Sequence, residues 1–153
     1  MAHKGETFFT SLGCMDGRAQ KPIARLGRRL TGAKYPDTVT EAGTVGQLAK
    51  DQVDPQLEAN LKHKIVDVSI GKHHSRGVIV SGHQECAGNP VDDQQHVNDV
   101  KLAATRVRGM VGEEVPVYGA FVHRRRVFPG WKAEVVDPQA TKPKRRLPFI
   151  GRN

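Results

Sequence analysis

Five polar side chains gather in two short clusters far apart in the chain. Cys14, Asp16 and Arg18 lie in Gly13-Cys14-Met15-Asp16-Gly17-Arg18, and His83 and Cys86 lie in Ser81-Gly82-His83-Gln84-Glu85-Cys86-Ala87-Gly88-Asn89-Pro90. Two thiols and an imidazole are donor types that zinc takes in tetrahedral geometry, and a catalytic zinc keeps three protein ligands and one exchangeable position. His83 and Cys86, three positions apart, can chelate from one loop while Cys14 arrives from a neighbouring strand end. No fourth Cys or His follows at a standard spacing. The residues by themselves therefore leave a second reading open, in which the thiols are small buried groups and His83 is a hydrogen-bonded turn residue. An Asp-Arg pair at this spacing is more often a solvated turn. Beside Cys14, however, it can form a charge-assisted pair next to the metal's open position. Held by Arg18, Asp16 stays ionised and accepts a hydrogen bond from the O–H of a zinc-bound hydroxide, orienting its lone pair; released, it could bind the metal and shut the site.

Both clusters follow apolar runs that read as strands: Thr7 to Leu12 before the first, Gly77 to Ser81 before the second. In open α/β sheets, ligands bind outside the carboxyl ends of the strands. Pro22 to Leu30 carries Ile23, Leu26 and Leu30 at helical spacing with a basic outer face, and Gly32 closes it. Tyr35 to Gly43 reads as a second strand entering a glycine-bearing turn, with Pro36 limiting where pairing begins. Asp54-Pro55 is an N-cap and first-turn proline, and Leu57, Leu61, Ile65 and Val68 predict one long amphipathic helix to Ile70, stopped at Gly71. After Pro90, Asp92 and Asp93 open a helix in which Val97, Val100, Leu102, Ala104 and Val107 form the apolar side. Glu113 to Val122 supplies a fourth strand, and Trp131 to Val136 returns as a hairpin. The fold class is α/β: a mostly parallel sheet of four strands flanked by helices, with an antiparallel edge strand. Residues 1–136 form the zinc-binding domain, and 137–153, rich in Pro, Lys and Arg, a basic tail or arm.

A chain of 153 residues suits one domain. The net charge of +8 invites a nucleic-acid reading, but from Arg124 onward there are nine bases against two acids, so the excess sits in the C-terminal fifth and nucleic acid is not the expected partner. No 18-residue apolar stretch exists, which excludes a membrane helix, and the N-terminus lacks the apolar core of a signal peptide. The expected compartment is the cytoplasm, where two cysteines serve metal binding or reactivity rather than a disulfide.

The combined pattern Cys14-x-Asp16-x-Arg18 with His83-x-x-Cys86 resembles the signature of the β-class carbonic anhydrases. The likeness extends in outline from about Thr7 to Val136, with Glu41-Ala42-Gly43 where the family often has Asn-Ala-Gly. The resemblance implies zinc held by Cys14, His83 and Cys86, an Asp16-Arg18 dyad, and reversible hydration of carbon dioxide to bicarbonate in a homodimer or higher homo-oligomer. Two thiolates make the zinc water less acidic than the pKa of about 7 of an all-histidine site, so activity is expected to favour alkaline pH. His96, His123 and the His73-His74 pair are the candidate proton shuttles. Gly43 and Gly46 could bring backbone N–H groups toward substrate or simply permit a tight turn. Typical members begin with extra N-terminal helices that help line a neighbour's cleft; here the first strand starts almost at once. The alternatives are a non-catalytic zinc-containing scaffold of the same fold, or a hydrolase of a related small electrophile such as carbon disulfide.

Overall fold

The computed structural model describes residues 2–138. The basic tail expected over 137–153 lies outside the described residues except for Asp137 and Pro138, and Asp137 is the last residue of a strand. The elements run β1 (Phe8–Gly13), α1 (Gly17–Thr31), β2 (Tyr35–Thr40), α2 (Thr44–Leu48), α3 (Pro55–Lys62) continued by a wide π-helical segment (His63–Ile70), β3 (Val78–His83), α4 (Asp93–Val111), β4 (Val117–Arg124) and β5 (Trp131–Asp137).

One five-stranded sheet has the order β2-β1-β3-β4-β5. The first four strands are mutually parallel and β5 pairs antiparallel with β4, matching the α/β class read from the sequence. Period-two alternation sends side chains to two separate cores. On β3, Val78 and Val80 join Leu12, Leu61, Ile65, Val100 and Val107 under α2, α3 and α4, whereas Ile79 joins Phe9, Ile23, Leu26 and Val122 under α1. Pro36 sits on β2, an edge strand, where a missing backbone donor costs least.

Several elements depart from their expected form. Helix α1 starts five residues before Pro22, because the Asp16 carboxylate caps it by accepting from the Arg18 backbone N–H at 2.9 Å. Pro22 then sits inside the helix at the cost of one backbone bond. The single long helix expected to Ile70 widens after Lys62, with Gly71 N–H reaching Val66 O and His73 N–H reaching Val68 O, five residues back. That widening turns Ser69 inward, where it bonds Thr10 at 2.7 Å and Asp37 at 2.7 Å, and leaves Val68 39% exposed instead of on the apolar stripe. Leu102 is likewise outside the core; Ala103 occupies that face of α4, in series with Val100, Ala104 and Val107. The five-residue α2 was not foreseen: it carries Thr44, Val45 and Leu48 into the interior directly after Gly43.

Candidate metal centre

The carboxyl ends of β1 and β3 lie side by side, which brings the two clusters together. β1 ends at Gly13, so Cys14 is the first residue beyond the sheet. β3 runs two residues further than expected and ends on His83, which pairs with Val122 and is 1% exposed. Cys86 follows from a turn in which Glu85 adopts a left-handed φ of 58°.

The Cys14, His83 and Cys86 donor atoms all lie within 4.8 Å of one another, and all three residues are buried. The sulfurs are unbonded thiols 3.8 Å apart. Two sulfurs held at about 2.3 Å from one tetrahedral zinc are about 3.8 Å apart, so the pair already has the spacing of two zinc ligands. The His83 ring sits with Nδ1 2.9 Å from the Gln84 carbonyl oxygen, which can only accept, so Nδ1 carries the proton and donates. Nε2 is thereby left with a free lone pair, buried and without a partner. An orphaned buried nitrogen costs stability unless something occupies its lone pair. Burial, and then the neighbouring Cys14 sulfur, push the Cys86 thiol above its ordinary pKa. A cation between the sulfurs removes both penalties, because thiolates are the ligand form. The donor set, its spacing and the orphaned lone pair all fit zinc.

Asp16 stands at the edge of this set, with Oδ2 3.9 Å from His83 Nε2. Its oxygens accept from Arg18 Nε at 3.0 Å and Nη2 at 2.8 Å, a fork-to-fork pair, in addition to the helix cap. The Arg18 hydrogen bonds hold its pKa down at about 2, against a smaller opposing effect of burial. Asp16 is thus an ionised acceptor whose direction is set by the first turn of α1. Arg18 is the more exposed member, its side chain 39% accessible.

Backbone contact between the Gly43 turn and the Cys86 loop locks the arrangement. Gly43, at φ 59°, sends its N–H toward Cys14 Sγ at 3.5 Å, so this glycine faces the cluster through its backbone donor. Its Cα meets the Gly88 carbonyl so closely that a Cβ there would overlap it and stand 2.9 Å from the Asn89 nitrogen. Gly46 makes room for the Asn89 side chain, which donates to the buried Asp99 at 2.9 Å. Gly82 has the same role toward α4: a Cβ would stand 2.6 Å from the His96 ring.

Of the four proposed shuttle histidines, His96 lies in the neighbourhood, its ring centroid 6.1 Å from that of His83, but it is 2% exposed rather than a surface group. Burial, and then His83, lower its pKa, so its ring is held neutral. His123 pairs with Glu134 on the β4–β5 hairpin at 3.0 Å. His73 stacks on Phe8, at the opening of β1, and bonds Asp37 at 2.9 Å, placing it at the opposite end of the strand from Cys14. His74, at φ 54°, lies in the turn after it. A groove of about 540 Å³ is lined by Gln84, Phe121, His123, Arg124, Arg125 and Arg126 among others, but by none of Cys14, Asp16, Arg18, His83 or Cys86.

Sequence reasoning missed Glu85, which accepts from Arg18 at 3.1 Å and from Arg124 at 2.9 Å. It also missed the role of Trp131, over whose ring both arginines lie. The only signal was the position of Glu85 between His83 and Cys86; its partners come from the other cluster and from the hairpin.

Comparison with known proteins follows the same lines. The structure is similar to the crystal structure of β-carbonic anhydrase isoform I from the protozoan Trichomonas vaginalis, with a TM-score of 0.53 over 90% of this chain and 87% of that one, at 13% sequence identity. At that identity the likeness is one of fold. Comparison with curated proteins gave no match. Residues 4–137 match the model of the family described as "Putative carbonic anhydrase". That match spans most of the chain, including both clusters and every strand, and the chain belongs to that carbonic anhydrase family.

Proposed function

We propose that the protein is a zinc-dependent β-class carbonic anhydrase that interconverts carbon dioxide and bicarbonate, with Cys14, His83 and Cys86 as ligands and Asp16 and Arg18 as the catalytic dyad. The observation that carries this reading is the meeting of three buried donors from two distant clusters at ligand spacing, with an ionised carboxylate beside the unpartnered His83 Nε2.

When bound, zinc would supply a Lewis acid that lowers the pKa of water and so makes it a nucleophile. The remaining work falls to the chain. His83 offers Nε2 because its Nδ1–H is committed to Gln84. As thiolates, Cys14 and Cys86 would bring two negative charges, which balance the cation's formal charge and set the pH dependence toward the alkaline side. Asp16 can only accept, so a water or hydroxyl within its reach must give it the O–H and turn a lone pair away, toward the carbon of the substrate. Arg18 keeps that carboxylate ionised and aimed. The reaction consumes one water and one carbon dioxide and yields bicarbonate and a proton, which leaves to solvent or buffer.

The proposal includes a homodimer or higher homo-oligomer in the cytoplasm. Supporting an assembly, β2 is an edge strand with Tyr35 46% exposed, and Met15, next to Cys14, is 67% exposed. No helix among the described residues is long and apolar enough to cross a membrane. The test is direct: purify the protein, measure zinc per chain, and follow carbon dioxide hydration by stopped flow from neutral to alkaline pH. About one zinc per chain with turnover rising toward alkaline pH is expected. Zinc without turnover at any pH refutes the enzymatic reading and leaves a scaffold of the same fold.

A further inference from the structure

We propose that Glu85, Arg124 and Trp131 form a latch that holds Arg18 on Asp16 and so keeps Asp16 from occupying the metal's open position; the inference rests on the zinc site proposed above. All three are positioning residues, acting through Arg18.

Arg18 divides its donors between two carboxylates. Nε and Nη2 serve Asp16, while Nη1 reaches Glu85 Oε2 at 3.1 Å and Nη2 also meets the Glu85 carbonyl at 3.3 Å. Because the two carboxylates use different edges of the guanidinium, Glu85 secures Arg18 without displacing Asp16. Glu85 is itself held from the far side by Arg124, at 2.9 Å through Nη2 and 3.3 Å through Nε. Both guanidinium carbons lie over the Trp131 ring, at 4.8 Å for Arg18 and 4.6 Å for Arg124, within cation–π range. Arg124 and Trp131 face each other in the β4–β5 register, so the loop end of one hairpin supplies both groups.

The arrangement answers a physical need. Asp16 lies 3.9 Å from the free His83 nitrogen, close enough that a small side-chain rotation would turn its carboxylate into a fourth ligand. An isolated Arg–Asp pair at the surface holds weakly, because solvent competes for both groups. Arg18 is exposed enough to suffer that competition, and a bridge from Glu85, with both arginines stacked on Trp131, counters it. The backbone at Glu85 is consistent with a selected side chain: a left-handed φ favours glycine or asparagine, yet a glutamate stands there.

The test uses cobalt(II)-loaded protein and azide, which competes for the open position and is read by the visible ligand-field band. Trp131 is the chain's one tryptophan, so acrylamide quenching of its fluorescence reports the latch separately. Glu85→Gln and Arg124→Met are each expected to weaken azide about tenfold at unchanged cobalt stoichiometry, because the freed Asp16 then competes. Both are expected to raise Trp131 quenching. Adding Asp16→Asn to Glu85→Gln is expected to restore azide affinity, since the amide is a poor ligand, whereas general loosening of the site would not be reversed. Unchanged azide affinity in both single variants, or a loss that Asp16→Asn fails to reverse, overturns the latch. Wild-type protein that takes up no cobalt refutes the metal site instead. Quenching still decides the latch in that case: equal quenching in wild type and both variants overturns it. If Glu85→Gln does not fold, Arg124→Met with and without Asp16→Asn carries the same comparison.

Discussion

Replacing Gly43 by alanine tests whether backbone contact between the Gly43 turn and the Cys86 loop shapes the site, and Gly32 provides the control. Both glycines have left-handed φ, 59° and 68°. Around Gly32 a Cβ meets only the end of the Arg76 side chain at 3.8 Å, so Gly32→Ala pays for backbone conformation alone. The left-handed conformation costs an alanine about 1–2 kcal/mol, and the stiffer unfolded chain returns about 0.4–1 kcal/mol. The control should therefore lose roughly 1 kcal/mol. At Gly43 the same cost applies, but the Cβ also overlaps the Gly88 carbonyl, which is backbone and cannot rotate away. Forcing such an overlap adds about 1–3 kcal/mol, for a total of roughly 2–4 kcal/mol. In a chain of this size that lowers Tm by about 5–15 °C. The movement that relieves the overlap separates the Gly43 turn, whose N–H points at Cys14, from the Cys86 loop, so metal affinity should fall with stability. Urea unfolding and zinc titration of wild type, Gly32→Ala and Gly43→Ala measure both quantities. Equal losses in the two variants, with zinc affinity retained in Gly43→Ala, would show that the contact between these loops does not shape the site.

Asp16→Asn removes the ionised acceptor while keeping a capping oxygen; zinc content should stay near wild type and turnover fall about 10- to 100-fold, and unchanged turnover removes Asp16 from the mechanism. Cys86→Ser exchanges a thiolate for a weak donor, so metal analysis after dialysis should find far less zinc than in wild type, and full retention would exclude Cys86 as a ligand. Ile65→Ala empties a fully buried position of the core beneath α3 and should cost about 2–5 kcal/mol in urea unfolding; a loss under 1 kcal/mol would mean the widened segment collapses onto the cavity. His96 is held neutral by burial, with its pKa below the unfolded value. The unfolded chain therefore binds the extra proton first, and stability present above the unfolded pKa of about 6.5 is lost as pH falls through it toward the folded value. Metal-free wild type should lose more stability than His96→Leu between pH 7.5 and 5, and the opposite order would refute the assignment.

The sequence by itself determined the features written within a few residues. Apolar alternation marked the strands, Asp54 and Asp92 announced their helices and both cap them through side-chain oxygens, and Gly32 ends α1 in the left-handed conformation. The donor types and the three-residue spacing of His83 and Cys86 offered a metal-ligand set, with buried thiols and a turn histidine left as the other reading. Local pattern could not reveal that Ser69 rather than Val68 turns inward, because the reward for burying it is a bond to Thr10, 59 residues away. Nor could it rank Leu102 below Ala103, which depends on how closely α4 approaches the sheet. The burial of His96 was not written locally either, because its ring fits against β3 only where Gly82 leaves room. The tertiary structure alone decided that Cys14 and Cys86, 72 residues apart, stand at ligand distance, and that Glu85 bridges arginines 67 and 39 positions from it. Hydrogen bonds, ion pairs and metal chelation act over a few ångströms, and which distant residues come within that range is settled by strand order and by the backbone contact of Gly43 with Gly88.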